Sequence, residues 1–391
     1  MKNKKILFKL LIVVIGSVIL SELAGQLVLG TQYNCEPRLQ NSGIYKNQSE
    51  YFIKNLCDDY EDVKTVQPVI RKEQEVMNFT QFIDKISLQN YKILSKQNSD
   101  FGILQPNQHS RTINSNEYGF RGREISMNKD DDTYRIIILG GSVAYGRFAS
   151  SDEATISGNL EKMFSNNDNP KIQVINAALE GDTSCSDIKK TQEYLIKFDP
   201  DVIVILGGWN DLDRPCTDSE EISRISVVSA LVKPIMSMCP ECQSPRLIIL
   251  SSSWIKFQID KIIGNTITYD KDLLITNLVK KWATTCEIGK QHNFDVIIAL
   301  QPLLGTENKT ITEWEKQILK NYPSDAVLLY PKLKESMNEL QSECKYTVDL
   351  THVFDNTNDT VFIDRGHIGD NGNFLIAKKL HEVIRPLVEK R

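Results

Sequence analysis

Tyr134-Arg135-Ile136-Ile137-Ile138-Leu139-Gly140-Gly141-Ser142-Val143-Ala144-Tyr145-Gly146 is the stretch from which the fold can be read. Its branched apolar run predicts a fully buried strand of the kind found in parallel sheets. The run stops at two glycines, which let the backbone turn sharply and let another group come close. Ser142 follows at once. At the carboxyl end of a parallel strand its hydroxyl stands on the edge where α/β sheets bind ligands, so it is the first candidate for a nucleophile. Taken alone, Gly-Gly-Ser also suits an ordinary strand end followed by a helix cap. Two rival motifs are excluded. Gly141 and Gly146 have phosphate-loop spacing, but Arg147-Phe148 stands where Lys-Ser/Thr is required. An α/β-hydrolase elbow needs glycine two residues after the serine, where this chain has Ala144.

Outward from this strand, apolar runs alternate with helical patterns. Strands are predicted over 135–139, 172–177, 202–206, 247–251 and 295–300, and helices over 152–164, 184–198, 220–238, 270–291 and 371–389. That alternation predicts a parallel sheet with helices on both faces. Residues 303–345 break the rhythm and read as a helical insertion.

Toward the amino terminus the pattern changes. Residues 1–5 form a basic tip, and 6–29 are long enough to span a bilayer if Lys9 snorkels and Glu22 lies near the outer interface. A cleaved signal peptide is the alternative, but Glu22 and Leu23 spoil a small-residue cleavage site. The expectation is a signal-anchor helix with a cytoplasmic tip and everything after residue 30 outside. Residues 30–131 read as a polar lead segment with helical patches over 50–56 and 79–95. Its last part, Asn116-Glu117-Tyr118-Gly119-Phe120-Arg121-Gly122-Arg123-Glu124, is expected to dock on the domain formed by 132–391.

With 46 basic and 51 acidic residues the formal charge is −5, which argues against nucleic-acid binding. Eight cysteines in an exported chain permit disulfides. Cys239-Pro240-Glu241-Cys242 lacks a matching second pair for zinc, so neither a metal nor a cofactor is expected. Cys185 and Cys216 follow turns that open on one sheet edge, and a disulfide between them is expected.

Three further turns join Ser142. Asn176 to Ser184 follow the second strand, Gly207-Gly208-Trp209-Asn210-Asp211 follow the third, and Asp364-Arg365-Gly366-His367 precede the last helix. Together they supply the parts of an acyl-transfer site. A serine hydroxyl is a weak nucleophile and needs a base. His367 can take its proton, and Asp364 can hold the imidazole tautomer and stabilise the imidazolium. The amides of Ser142 and Gly181 and the side chain of Asn210 can donate to the developing oxyanion. Asp211 and Trp209 read as structural, and His109, His292, His352 and His381 as surface or packing residues.

These residues resemble the SGNH, or GDSL-type, hydrolase family. The resemblance runs from about Asn116 to Ala377 and rests on Gly140-Gly141-Ser142 with Gly146, Gly181, Gly208-x-Asn210-Asp211 and Asp364-x-x-His367. One departure is Gly141, where many members carry aspartate. The Asn-x-x-Gly-Phe-Arg lead-in at Asn116 to Arg121 is similar to that of anchored envelope members. The resemblance implies a flavodoxin-like three-layer sandwich with a five-stranded parallel sheet and the catalytic roles just given. The expected function is an extracytoplasmic serine esterase acting on O-acyl esters of lipids or glycans. An O-acyltransferase modifying an envelope polysaccharide is the alternative, and a non-catalytic binding module is a further one.

Overall fold

The run around Ile136 forms β1 (Thr133–Gly140), every residue of which is buried. It belongs to a computed structural model that describes residues 35–61, 102–104, 106–165, 170–213, 271–321 and 325–390. On one side of β1 lies β2 (Lys171–Asn176) and on the other β3 (Val202–Gly207), with β4 (Asp295–Leu300) and β5 (Tyr346–Asp349) beyond. All pairings are parallel, with Ile137 level with Ile175 and Ile203. The order β2-β1-β3-β4-β5 is a doubly wound arrangement whose direction of winding reverses between β1 and β3. Ligands bind at that reversal in open α/β sheets, and Ser142 and Asn210 leave the two strands that form it.

Helices cover both faces. Helix α1 (Ser142–Tyr145) follows β1 directly, and α2 (Ile156–Met163) leads to β2. Next come α3 (Ser184–Glu193), α4 (Trp209–Asp213), α5 (Lys271–His292), α6 (Glu313–Asn321), α7 (Asp325–Ser336) and α8 (Asp370–Val388). Alternate residues of a strand face opposite ways. Ile137, Leu139, Ile203 and Ile205 meet Trp282 of α5 and Leu333 of α7 in one core. Ile376, Ala377, Leu380 and Ile384 recur at helical spacing and bury one stripe of α8, which packs on α2.

The fifth strand is not the one expected. Tyr346–Asp349 is a short, half-exposed edge strand with one buried side chain, so it lacks the apolar run that marked its neighbours. The strand expected over 247–251 and the helix over 220–238 lie outside the described residues. So do the expected anchor over 6–29 and the helix over 79–95. Among the described residues no helix is long and apolar enough to cross a membrane. The helix expected over 184–198 stops at Glu193 and resumes as a 3₁₀ turn, Leu195–Phe198.

By its internal contacts the chain divides into two units. One comprises Leu39–Met77, Gln89–Cys216 and Tyr269–Arg391 and contains the whole sheet. The other comprises Met1–Arg38, Asn78–Leu88 and Thr217–Thr268, of which only the first turn of a helix, Cys35–Ser42, is described. Within the first unit a disulfide joins Cys286 of α5 to Cys344 just before β5, across 58 residues. Cys185 is disulfide-bonded too, but Cys216, its expected partner, lies outside the described residues.

The Asn116–Arg121 segment docks on the sheet as expected. The Asn116 side chain accepts from the amides of Tyr118 and Phe120 and closes the turn. Arg121 then buries its guanidinium, paired with Asp152 at 2.8 Å. It donates to the carbonyls of Tyr145 and Gly146 at 3.2 and 3.0 Å, and so ties down the end of α1.

Candidate active site

Ser142 opens α1 with its side chain almost fully buried, and its Oγ lies 2.7 Å from Nε2 of His367. On the other side of the ring, Nδ1 lies 2.8 and 2.9 Å from the two carboxylate oxygens of Asp364. Asp364 also accepts from the amides of Gly366 and His367, so the short loop holds acid and base in one conformation. These three residues therefore form a continuous hydrogen-bonded chain across 225 residues of sequence. Its order, carboxylate to imidazole to hydroxyl, is that of a nucleophile with an oriented base.

The second turn is built on a buried ion pair. Lys190 of α3 reaches Asp182 at 2.7 Å and the carbonyl of Ala177 at 2.8 Å, and both charged side chains are excluded from water. Asp211 links this turn to the third, accepting from the amide and hydroxyl of Ser184 at 2.8 and 2.7 Å. Burial pushes the Asp211 carboxyl up, and the two Ser184 bonds oppose that shift. Asp211 is thus structural, as its place in the sequence suggested.

Asn210 donates from Nδ2 to the carbonyl of Asp182 at 2.8 Å, which brings its amide beside the Gly181 turn. An amide nitrogen carries two hydrogens, so one N–H remains for a ligand. A Cβ on Gly141 would lie 2.2 Å from that nitrogen. Gly141 has an ordinary extended backbone, so it is the approach of Asn210 that excludes a side chain here. The side chain of Asn210 and the carbonyl of Asp182, next to Gly181, thus lie against Gly141, the residue before Ser142.

Replacing Asn210 with alanine should lower kcat by about 10²–10³ with little change in KM, as for loss of one oxyanion donor. Gly141→Ala should do nearly the same by displacing the amide. The double variant should be no worse than either single one. Additive losses measured on a small aryl ester would show that Gly141 acts on something other than Asn210.

Sequence reasoning missed three residues of the site. Trp209 and Phe148 both pack against His367, with ring centroids 5.7 and 5.9 Å away at 65° and 90°. Trp209, read as plain packing, touches the base itself. Its place directly before Asn210 was the available signal. The third is Glu315 of α6, which is fully buried with Lys309 at 2.6 Å and accepts from the amides of Val361 and Phe362 at 3.1 and 3.3 Å. Burial would raise its carboxyl, but Lys309 and these donors hold it below the usual range. Glu315 thereby fixes the backbone just ahead of Asp364. Of the other histidines, His381 packs against Phe164, His352 pairs with Asp355 at the surface, and His292 is exposed.

No protein-family model matches the sequence, and no curated relative matches it. Solved structures do match. An acetyl xylan esterase aligns at 16% identity over 64% of this chain and 99% of its own, with a TM-score of 0.38. A GDSL-like lipase from Bacteroides thetaiotaomicron aligns at 12% identity over 68% and 92%, with a TM-score of 0.34. An acetyl-xylooligosaccharide esterase from Geobacillus stearmophilus aligns at 14% identity over 64% and 94%, with a TM-score of 0.39.

Proposed function

We propose that this chain is a serine esterase of the SGNH type, exported and held at a membrane by residues 6–29, which cleaves O-acyl esters. The observation that carries the reading is the hydrogen-bonded chain from Asp364 through His367 to Ser142. In the first step Oγ of Ser142 bonds to the acyl carbon while its proton passes to Nε2 of His367. Negative charge gathers on the former carbonyl oxygen, where the amides of Ser142 and Gly181 and the side chain of Asn210 can meet it. When the tetrahedral centre collapses, the ester C–O bond breaks and His367 returns the proton to the departing alcohol. Water then enters on the same side, again activated by His367, and releases the acid. Labelling by a fluorophosphonate probe, followed by turnover of esters of rising acyl length, tests the proposal. A chain that is folded but neither labels nor turns over would refute it.

The alcohol leaves from the His367 side. Asp370 and Asn371, a few residues after His367 in sequence, line a cleft of about 700 Å³ together with Ile44, Tyr45, Asn47 and Asn358. The Cys286–Cys344 disulfide supports an oxidising compartment outside the cytoplasm.

The second reading is an O-acyltransferase, in which the same three residues, Ser142, His367 and Asp364, would pass the acyl group to an acceptor alcohol in place of water. We expect hydrolysis to dominate, with free acid released from small acyl esters in water alone. Titrating in an oligosaccharide acceptor and measuring the product ratio decides the matter. Negligible turnover in water that rises with acceptor, giving acylated glycan, would favour transfer.

A further inference from the structure

Phe148 stands in a conformation that bulky residues avoid. Its φ is +66°, in the left-handed region, and its side chain is almost entirely buried. A β-carbon with an aromatic ring is strained there and persists only if its surroundings impose the geometry. Its neighbours show what imposes it. The hydroxyl of Tyr45, 103 residues earlier, donates to the Phe148 carbonyl at 2.5 Å. Two residues on, Ser150 donates its amide to the Asp370 carboxylate at 2.9 Å and its hydroxyl to the other oxygen. The strained residue is therefore held at its own carbonyl by Tyr45 and, two residues on, through Ser150 by Asp370.

The result of the strain lies at the candidate base. The Phe148 ring meets the His367 ring edge to face, perpendicular and 5.9 Å between centroids, beside the second aromatic contact from Trp209. With its backbone relaxed to a negative φ, the Cα–Cβ bond of Phe148 would point elsewhere and this contact would open. His367 would then keep Asp364 but lose one of the two walls that set the tilt of its ring. Nε2 must lie within hydrogen-bond reach of Oγ for the proton to pass.

Resting on the esterase reading above, we propose that Tyr45 is a positioning residue for that reaction. Its hydroxyl holds Phe148 in the left-handed conformation, and Phe148 in turn keeps His367 aimed at Ser142. The otherwise polar lead segment thus completes the catalytic site from a distance.

The test uses the full chain and the rate of inactivation by a fluorophosphonate, resolved into a binding constant and a maximal rate. Tyr45→Phe keeps the ring and removes the hydroxyl. It should lower the maximal rate by tenfold to about a hundredfold, as expected when a catalytic group is misaimed, and leave the binding constant within about twofold. Phe148→Asn should have a similar effect, because asparagine adopts the left-handed backbone but carries no aromatic ring. In the Phe148→Asn background, Tyr45→Phe should have no further effect on the maximal rate, since the path to His367 is already cut.

A merely structural role for Tyr45 predicts otherwise: a lower melting temperature, an unchanged maximal rate and additive effects in the double variant. Any of those kinetic results would overturn the proposal. If Tyr45→Phe does not fold, Phe148→Asn alone decides, and an unchanged maximal rate there is equally fatal. Failure of the wild-type chain to label at all would instead refute the esterase reading.

Discussion

Ser142→Ala should abolish labelling by a fluorophosphonate and reduce ester turnover by about 10⁴-fold or more, while the fold survives. The size of the loss follows from what the hydroxyl does. It is the group aimed at His367, and among the described residues no other hydroxyl or thiol is hydrogen-bonded to that ring. Cys185 is already in a disulfide, so it cannot take over as nucleophile. The small effect on stability follows from what the hydroxyl does not do. Its one side-chain bond in the structure is to His367, whose ring is partly open to solvent and can bond to water instead. Alanine also suits the first turn of α1, so Tm should move by no more than about 2 °C. Undiminished labelling of the folded variant would remove Ser142 from the mechanism.

Asp364→Asn should be nearly as damaging, with kcat lower by about 10⁴. Here the shape is kept and only the proton arrangement changes. The side-chain oxygen of asparagine can still accept from the amides of Gly366 and His367, so the loop stays formed. Its NH₂ group, however, would face Nδ1 of His367, which the carboxylate now meets at 2.8 Å. Nδ1 must then act as acceptor, which moves the neutral ring's proton to Nε2 and leaves nothing to receive the proton of Ser142. Melting curves and kcat measured side by side check this. A folded variant within tenfold of the wild type would mean that Asp364 merely shapes the loop.

What could be read from the chain follows physical range. The strands at Ile136, Ile203 and Ile297 sit in the sheet's interior, and burial on both faces left uninterrupted apolar runs. Strand β5 lies at the edge, where one face is wet, and Tyr346 to Asp349 carry no such run. At the site, Asp364 and His367 share one turn, and the glycine-bearing turns after β1 and β3 mark themselves locally. Ser142, Asn210 and Gly181 could then be brought together, because parallel strands place their carboxyl ends on one edge. Phe148, Tyr45 and Glu315 leave no comparable trace. Each acts through contacts far off in sequence, 46 residues for Glu315 and 103 for Tyr45, or through a backbone angle that no residue type announces.

The distance between Ser142 and His367 has a consequence for how the protein is made. Ser142 leaves the ribosome 225 residues before His367, the base proposed to activate it. At synthesis rates of about 5–20 residues per second, that interval is roughly 10–45 seconds. Throughout it the nascent chain carries an inert serine, because neither the imidazole nor its carboxylate yet exists. On the esterase reading proposed above, chemistry would begin only once Asp364 and His367 had been added, so a shorter polypeptide could not attack esters while it is being made.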